Sequence, residues 1–113
     1  YSKVTGVIGI PGDRNDSVGF EIGKLCSKYL SFSYIKEDSD KRGRQENEVA
    51  NIIRQGFGNN SNFKIILDEG EALSEAIDNA KQGDLIVAFY EDYDKLYKVI
   101  LDKQNITPKK GLA

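Results

Sequence analysis

Histidine is absent from the 113 residues, and methionine with it. Without an imidazole the chain holds no Ser-His or Cys-His relay and no histidine-ligated zinc, so proton transfer falls to carboxylates, lysine and tyrosine. Cysteine occurs once, at Cys26, on the apolar side of a helical repeat. There it reads as a small hydrophobe rather than a nucleophile, and as a sign of a reducing, cytoplasmic setting. The missing methionine makes the chain an expected excised piece of a longer protein. No apolar run reaches membrane-spanning length and no charged-then-apolar leader occurs, so no membrane partner is expected. Sixteen basic and eighteen acidic residues leave a net charge of -2 with the signs interspersed. That balance gives no field to attract nucleic acid.

What is present is a strand-helix alternation. Apolar, β-branched stretches at 4–10, 32–36, 63–67 and 85–89 read as strands covered on both faces. Between and after them, apolar residues recur at helical spacing: Val18, Ile22, Leu25, Cys26 and Tyr29; Val49, Ile52, Ile53 and Phe57; Ala72, Leu73, Ala76, Ile77 and Ala80; Tyr93, Leu96, Tyr97, Ile100 and Leu101. Asp16 or Ser17 is placed to cap the first helix. Four successive units of this kind predict an α/β, three-layer, Rossmann-like fold with a mostly parallel sheet and helices on both faces, since parallel strands need crossovers of this length. One domain over 1–104 is expected, followed by a flexible tail at 105–113 whose Asn105-Ile106-Thr107 sequon has no consequence in the cytoplasm. The polar loop at 58–62 is the expected mobile segment, and Tyr90, Tyr93 and Tyr97 are expected to pack against the body of the domain.

In such a sheet the ligand edge is the carboxyl end of the strands. The first turn there carries Asp13, Arg14, Asn15 and Asp16; the second carries Glu37, Asp38, Asp40, Arg42 and Arg44. Gly6, Gly9 and Gly12 do not form G-x-G-x-x-G and no Gly-Lys-Ser/Thr follows, so neither dinucleotide nor phosphate-loop chemistry is encoded. Arginines interleaved with acids suit a zwitterion, whose carboxylate an arginine grips bidentately and whose cation an acid holds. The same residues would also serve as a solvated ion-pair network. Asp68 ends the third strand where a receiver domain carries its phosphoacceptor. The acidic pair after strand one and the later lysine of that family are, however, missing.

The segments Gly9-Ile10-Pro11-Gly12-Asp13-Arg14-Asn15-Asp16, 35–44 (Ile-Lys-Glu-Asp-Ser-Asp-Lys-Arg-Gly-Arg), Ile66-Leu67-Asp68-Glu69 and Gly83-Asp84-Leu85-Ile86-Val87 resemble, in order and spacing, the carboxyl-terminal domain of Mur-type ligases, and within that family cyanophycin synthetase. The resemblance implies an ATP-dependent amide ligase as parent, in which ATP phosphorylates a carboxylate and an amine attacks the acyl phosphate. It implies closure on a central ATPase domain of the same chain, which would hold most of the ATP and Mg. The parent would be a cytoplasmic homo-oligomer acting on an amino acid and an acidic peptide or polymer. By the match Asp13 faces nucleotide, Arg14 the incoming amino acid, and Asp38, Asp40, Arg42 and Arg44 the substrates. Asp40 stands where muramyl ligases have asparagine, which favours a cationic amino acid such as arginine, whose guanidinium Glu37, Asp38 and Asp40 would hold. Phe89-Tyr90-Glu91-Asp92-Tyr93 replaces the Gly-Lys-Gly-His-Glu of those ligases, so contacts from that motif do not transfer, although Glu91 is expected to substitute for them in part. No catalytic or metal-ligating residue is expected in the fragment, which should be inert alone. The alternative is a stand-alone α/β module that binds a small ligand or regulates.

Overall fold

Residues 1–106 are described in the computed structural model. Strands β1 (Val4–Ile8), β2 (Phe32–Ile35), β3 (Phe63–Ile65) and β4 (Leu85–Ala88) alternate with helices α1 (Asp16–Tyr29), α2 (Glu48–Gly56), α3 (Glu69–Asn79) and α4 (Tyr93–Ile106). All strand pairings are parallel, in the order β3-β2-β1-β4, with Val7 beside Tyr34 and Ala88 and Ile8 beside Ile35. The strands are shorter than their apolar runs. Pro11 and Gly12 end the first early, and Ile66 keeps one ladder bond to the Ile35 carbonyl beyond β3.

Side-chain alternation splits the core in two. Ile8 and Ile35 pack with Cys26, Val49, Ala50, Ile53 and Phe57 on the α1/α2 face. Val7 and Tyr34 pack with Ala72, Leu73, Ala76 and Leu96 on the α3/α4 face. The chain steps from β1 to β2 to β3 in one direction and then crosses to the far side of β1 for β4. The strand order therefore reverses between β1 and β4, the crevice where open α/β sheets receive ligands.

Two helices bury a different face from the one their apolar spacing predicts. In α1 the buried residues are Gly19, Gly23 and Cys26, while Val18, Leu25 and Tyr29 are exposed. Close approach of α2 decides this. A Cβ on Gly23 would lie 1.9 Å from the Ile53 carbonyl oxygen, and one on Gly56 2.2 Å from that of Phe20. The backbones meet where only hydrogen fits, and the larger side chains are turned aside. In α4 only Leu96 of the predicted stripe is buried; Tyr93, Tyr97, Ile100 and Leu101 are exposed, because the helix packs against α3 and leaves the apolar groove beside β4 open. Tyr90, Tyr93 and Tyr97 therefore pack on one another, with Tyr93 and Tyr97 stacked at 5.8 Å, and line a groove of about 520 Å3 rather than entering the core.

Smaller differences have local causes. Asn15, not Asp16 or Ser17, occupies the N-cap of α1, with Asp16 in the first helical turn. The 58–62 loop is anchored, since Asn60 Nδ2 donates to the Ser27 carbonyl and hydroxyl and Asn60 Oδ1 accepts from Asn62 N–H. Helix α4 runs to Ile106, two residues into the segment 105–113 expected as a tail; the rest of that segment, Thr107 of the sequon included, lies outside the described residues.

Gly23→Ala should destabilise the domain by about 1–3 kcal/mol through overpacking. Gly43→Ala, where φ is +90° but the space is open, should cost about 1 kcal/mol from backbone strain alone. Urea denaturation separates the two; equal losses would mean that the helices do not meet at Gly23.

Candidate functional site

Alternation continues past the end of β2 and sets the site. Lys36 points to the α3 face and Glu37 to the α2 face, and both are buried. The Lys36 stem runs along Gly9, where a Cβ would stand 3.0 Å from its Cε. Lys36 Nζ donates to Glu69 Oε1 and Asp38 Oδ1, both at 2.9 Å. Glu69, at the start of α3, accepts in turn from the backbone N–H groups of Glu91 (2.9 Å) and Asp92 (2.8 Å) after β4. The Glu91 carboxylate reaches back to accept from Ser39 N–H, Ser39 Oγ and Asp40 N–H. This ring of bonds ties the loops after β2, β3 and β4 together.

Glu37 caps a helix that its own N-cap does not. Asn47 sits there with φ 72° and no side-chain bond, and Glu37 accepts instead from Asn47 N–H, Ala50 N–H and Lys41 Nζ. A carboxylate at a helix amino terminus also meets the positive end of the macrodipole. Burial pushes the Glu37 carboxyl up, and the bonds from Ala50, Lys41 and Asn47 outweigh it, leaving the pKa below the ordinary value. Glu91 is likewise lowered, burial being outweighed by the bonds from Ser39 and Asp40. Asp68 is lowered by Lys95 first and the Glu71 N–H second. It is thus the N-cap of α3 and the partner of Lys95 at 2.6 Å, not a free phosphoacceptor.

The six residues singled out from sequence divide into two sets. Asp13, Asp40 and Arg42 come together as an exposed triad: Arg42 Nη1 donates to Asp13 at 2.9 Å and Arg42 Nε to Asp40 at 3.1 Å. Arg14 is exposed beside them and makes no ion pair among the described residues. Asp38 is taken up by Lys36, and Arg44 by structure. Arg44 donates to the Gly12 and Arg14 carbonyls, Asp16 and Glu48, which pins the β1–α1 loop against the β2–α2 loop. A cleft of about 230 Å3 lies on the other side of the loop, lined by Glu37, Ser39, Lys41, Glu46, Leu67, Asp68, Glu69, Glu91 and Lys95.

Sequence reasoning gave Lys36 and Glu69 no role at the site, although both stand in segments that carry the family resemblance. The available signal was a lysine in phase with the core at the end of an apolar strand. Among the described residues no group of three or more His, Cys, Asp or Glu side chains is placed to hold a metal ion. With no phosphate loop in the sequence, these residues do not by themselves fit a magnesium–ATP site, and no step is assigned to one. No helix among the described residues is long and apolar enough to cross a membrane.

The carboxyl edge of this parallel α/β sheet carries a Gly-Asp-Arg loop pinned by Arg44 to an Arg-Gly-Arg loop. The chain's homologues are cyanophycin synthetases and Mur ligases, consistent with a carboxyl-terminal domain of the Mur ligase type. It is 36% identical over 104 residues to the cyanophycin synthetase of Synechocystis sp., covering 89% of this chain and 12% of that protein. To the cyanophycin synthetase of Crocosphaera subtropica it is 36% identical over 98 residues, 84% of this chain and 11% of that protein. The UDP-N-acetylmuramoyl-L-alanyl-D-glutamate–2,6-diaminopimelate ligase of Wigglesworthia glossinidia brevipalpis is 27% identical over 93 residues, 82% of this chain and 18% of that protein. The chain thus spans between a tenth and a fifth of these relatives. No family model matches it.

Glu37, Glu91 and Asp68 all have folded pKa values below their unfolded ones, so the stability they contribute is complete above the ordinary values of 4.5, 4.5 and 3.8 and is lost as pH falls through the depressed values. Thermal unfolding should show stability falling from about pH 4.5 downward. Glu37→Gln should flatten that fall and cost about 1–2 kcal/mol at pH 7. An unchanged pH profile in the variant would contradict the capping role.

Proposed function

We propose that the chain is the closing domain of an ATP-dependent amide ligase, one that joins an incoming amino acid to a carboxylate activated as an acyl phosphate. Its partner is a central ATPase domain of the same longer protein, which holds the nucleotide phosphates and Mg. The observation that carries this reading is the exposed Asp13–Arg42–Asp40 triad beside Arg14, which has no ion-pair partner among the described residues, at the carboxyl edge of a domain homologous to ligases.

The exposed groups then divide the work, with Arg42 holding Asp13 and Asp40 in place. Asp13 faces the nucleotide. Arg14 takes the carboxylate of the incoming amino acid by two parallel N–H bonds. Asp40 meets a cationic side chain, which favours arginine as the amino acid and the aspartate side chains of an acidic peptide or polymer as its acceptors. Asp38 and Arg44 act behind this set, through their bonds to Lys36 and to the β1–α1 loop. Negative charge where a cation docks steers the choice between amino acids more than it adds affinity.

The chain alone should hydrolyse no ATP, since γ-phosphate and metal ligands are not in it. Titration with L-arginine, followed by NMR, should shift the amides of Asp13, Arg14, Asp40 and Arg42 at millimolar concentrations. In the longer ligase, Asp40→Asn should raise KM for the cationic amino acid about tenfold. Shifts scattered over other residues, together with an unchanged KM in the variant, would overturn the assignment.

A further inference from the structure

Lys36 and Glu91 lie behind the proposed ligand edge, and neither is counted among the groups that face a substrate. We infer that they are positioning residues for it: the buried Lys36–Glu69 pair and the Glu91 carboxylate together set the geometry of the Asp40–Arg42–Asp13 triad. The inference rests on the reading of that triad as the amino-acid and nucleotide edge.

The chain of bonds is continuous. Lys36, with its side chain 2% exposed, fixes Glu69 at 2.9 Å. Glu69 uses both carboxylate oxygens to hold the N–H groups of Glu91 and Asp92, which aims the Glu91 side chain back across the loop after β2. Glu91 receives Ser39 N–H at 2.8 Å, Ser39 Oγ at 2.9 Å and Asp40 N–H at 3.3 Å. Asp40 in turn accepts from the backbone N–H of Arg42 and from its Nε, and Arg42 reaches Asp13. Arg42 needs this support, since its φ of 50° is one that a side-chain-bearing residue rarely holds. Three exposed side chains thus take their positions from one buried lysine and from a carboxylate on the loop beyond β4. Lys36 also holds Asp38, so the loop after β2 is gripped at two points, Asp38 from the α3 side and Ser39–Asp40 from the β4 side.

The geometry also shows what the loop after β4 does in this chain. The Phe89-Tyr90-Glu91-Asp92 turn presents two backbone N–H donors inward to Glu69 and one carboxylate sideways to Ser39. It braces the neighbouring loop from behind. Free energy lost at Lys36 or Glu91 should therefore reach the ligand through the arrangement of the triad, as a change in apparent affinity.

The test compares Lys36→Met, Glu91→Gln and, as a control on a remote surface pair, Glu75→Gln, whose partner is Lys64. In the chain itself, the backbone amide shifts of Ser39, Asp40, Arg42 and Asp13 and the Arg42 Hε signal should move in both ring variants and stay in place in the control. In the longer ligase, both ring variants should raise KM for the incoming amino acid about tenfold. A merely structural role lowers the amount of active enzyme, and so kcat, without that rise. If Lys36→Met does not fold, Glu91→Gln carries the test, because its side chain lies at the surface. Unmoved Asp13 and Arg42 signals in folded Glu91→Gln overturn the inference, and so do moved signals with an unchanged KM. The reading of the triad fails by a different result: an unaltered chain or ligase in which amino-acid binding does not touch Asp13, Arg14, Asp40 or Arg42.

Discussion

A lysine with almost no access to water sits at the carboxyl end of the central sheet, and its charge is tolerated only because two carboxylates meet it there. An unpaired ammonium at that depth would cost several kcal/mol, so Lys36, Glu69 and Asp38 stand or fall together. Their geometry depends on Gly9, which leaves room for the lysine stem, and on the strand register, which points residue 36 toward α3. From this pair the order of three loops follows. Glu69 closes the turn after β4, Glu91 closes the loop after β2, and Arg44 ties that loop to the turn after β1.

The consequence is a division of labour among charges. Of the sixteen basic and eighteen acidic residues, those nearest the sheet are committed to holding loops and capping helices, with Glu37 serving α2 and Asp68 serving α3. The charges that remain exposed at the carboxyl edge are then few and definite. Under the proposed function that selection is what would give the edge its specificity, since a surface on which every charge was paired at random would recognise nothing in particular.

The fold was legible because apolar runs of strand length alternate with helical spacing, and four parallel strands in two-faced burial have few other solutions. The faces of α1 and α4 were not. In α1 the glycines at 19 and 23 allow a backbone contact with α2, which outweighs the pull of Val18, Leu25 and Tyr29; hydrophobic spacing carries no term for close approach. In α4 the stripe is real but the helix packs against α3 and leaves a groove open beside β4, which depends on tertiary contacts and not on local pattern. At the site, Asp13, Asp40 and Arg42 were visible as turn charges flanking strand ends. Asp38 and Arg44 carry the same local signal yet are spent on the scaffold: Asp38 meets Lys36, two residues before it and held by Glu69, and Arg44 meets Gly12 across a contact of two loops. Glu69, 33 residues from Lys36, left no trace in the sequence that pairing logic alone would find.

The account stands on the Lys36–Glu69 pair, and a double-mutant cycle by denaturation tests it most directly. Lys36→Met and Glu69→Gln should each cost about 3 kcal/mol or more, because each leaves a partner buried and unpaired. The double variant should cost less than their sum by more than about 1 kcal/mol. Losses that add to within about 0.5 kcal/mol would mean that the two groups act independently, and the ring would not be the constraint on which the loops depend.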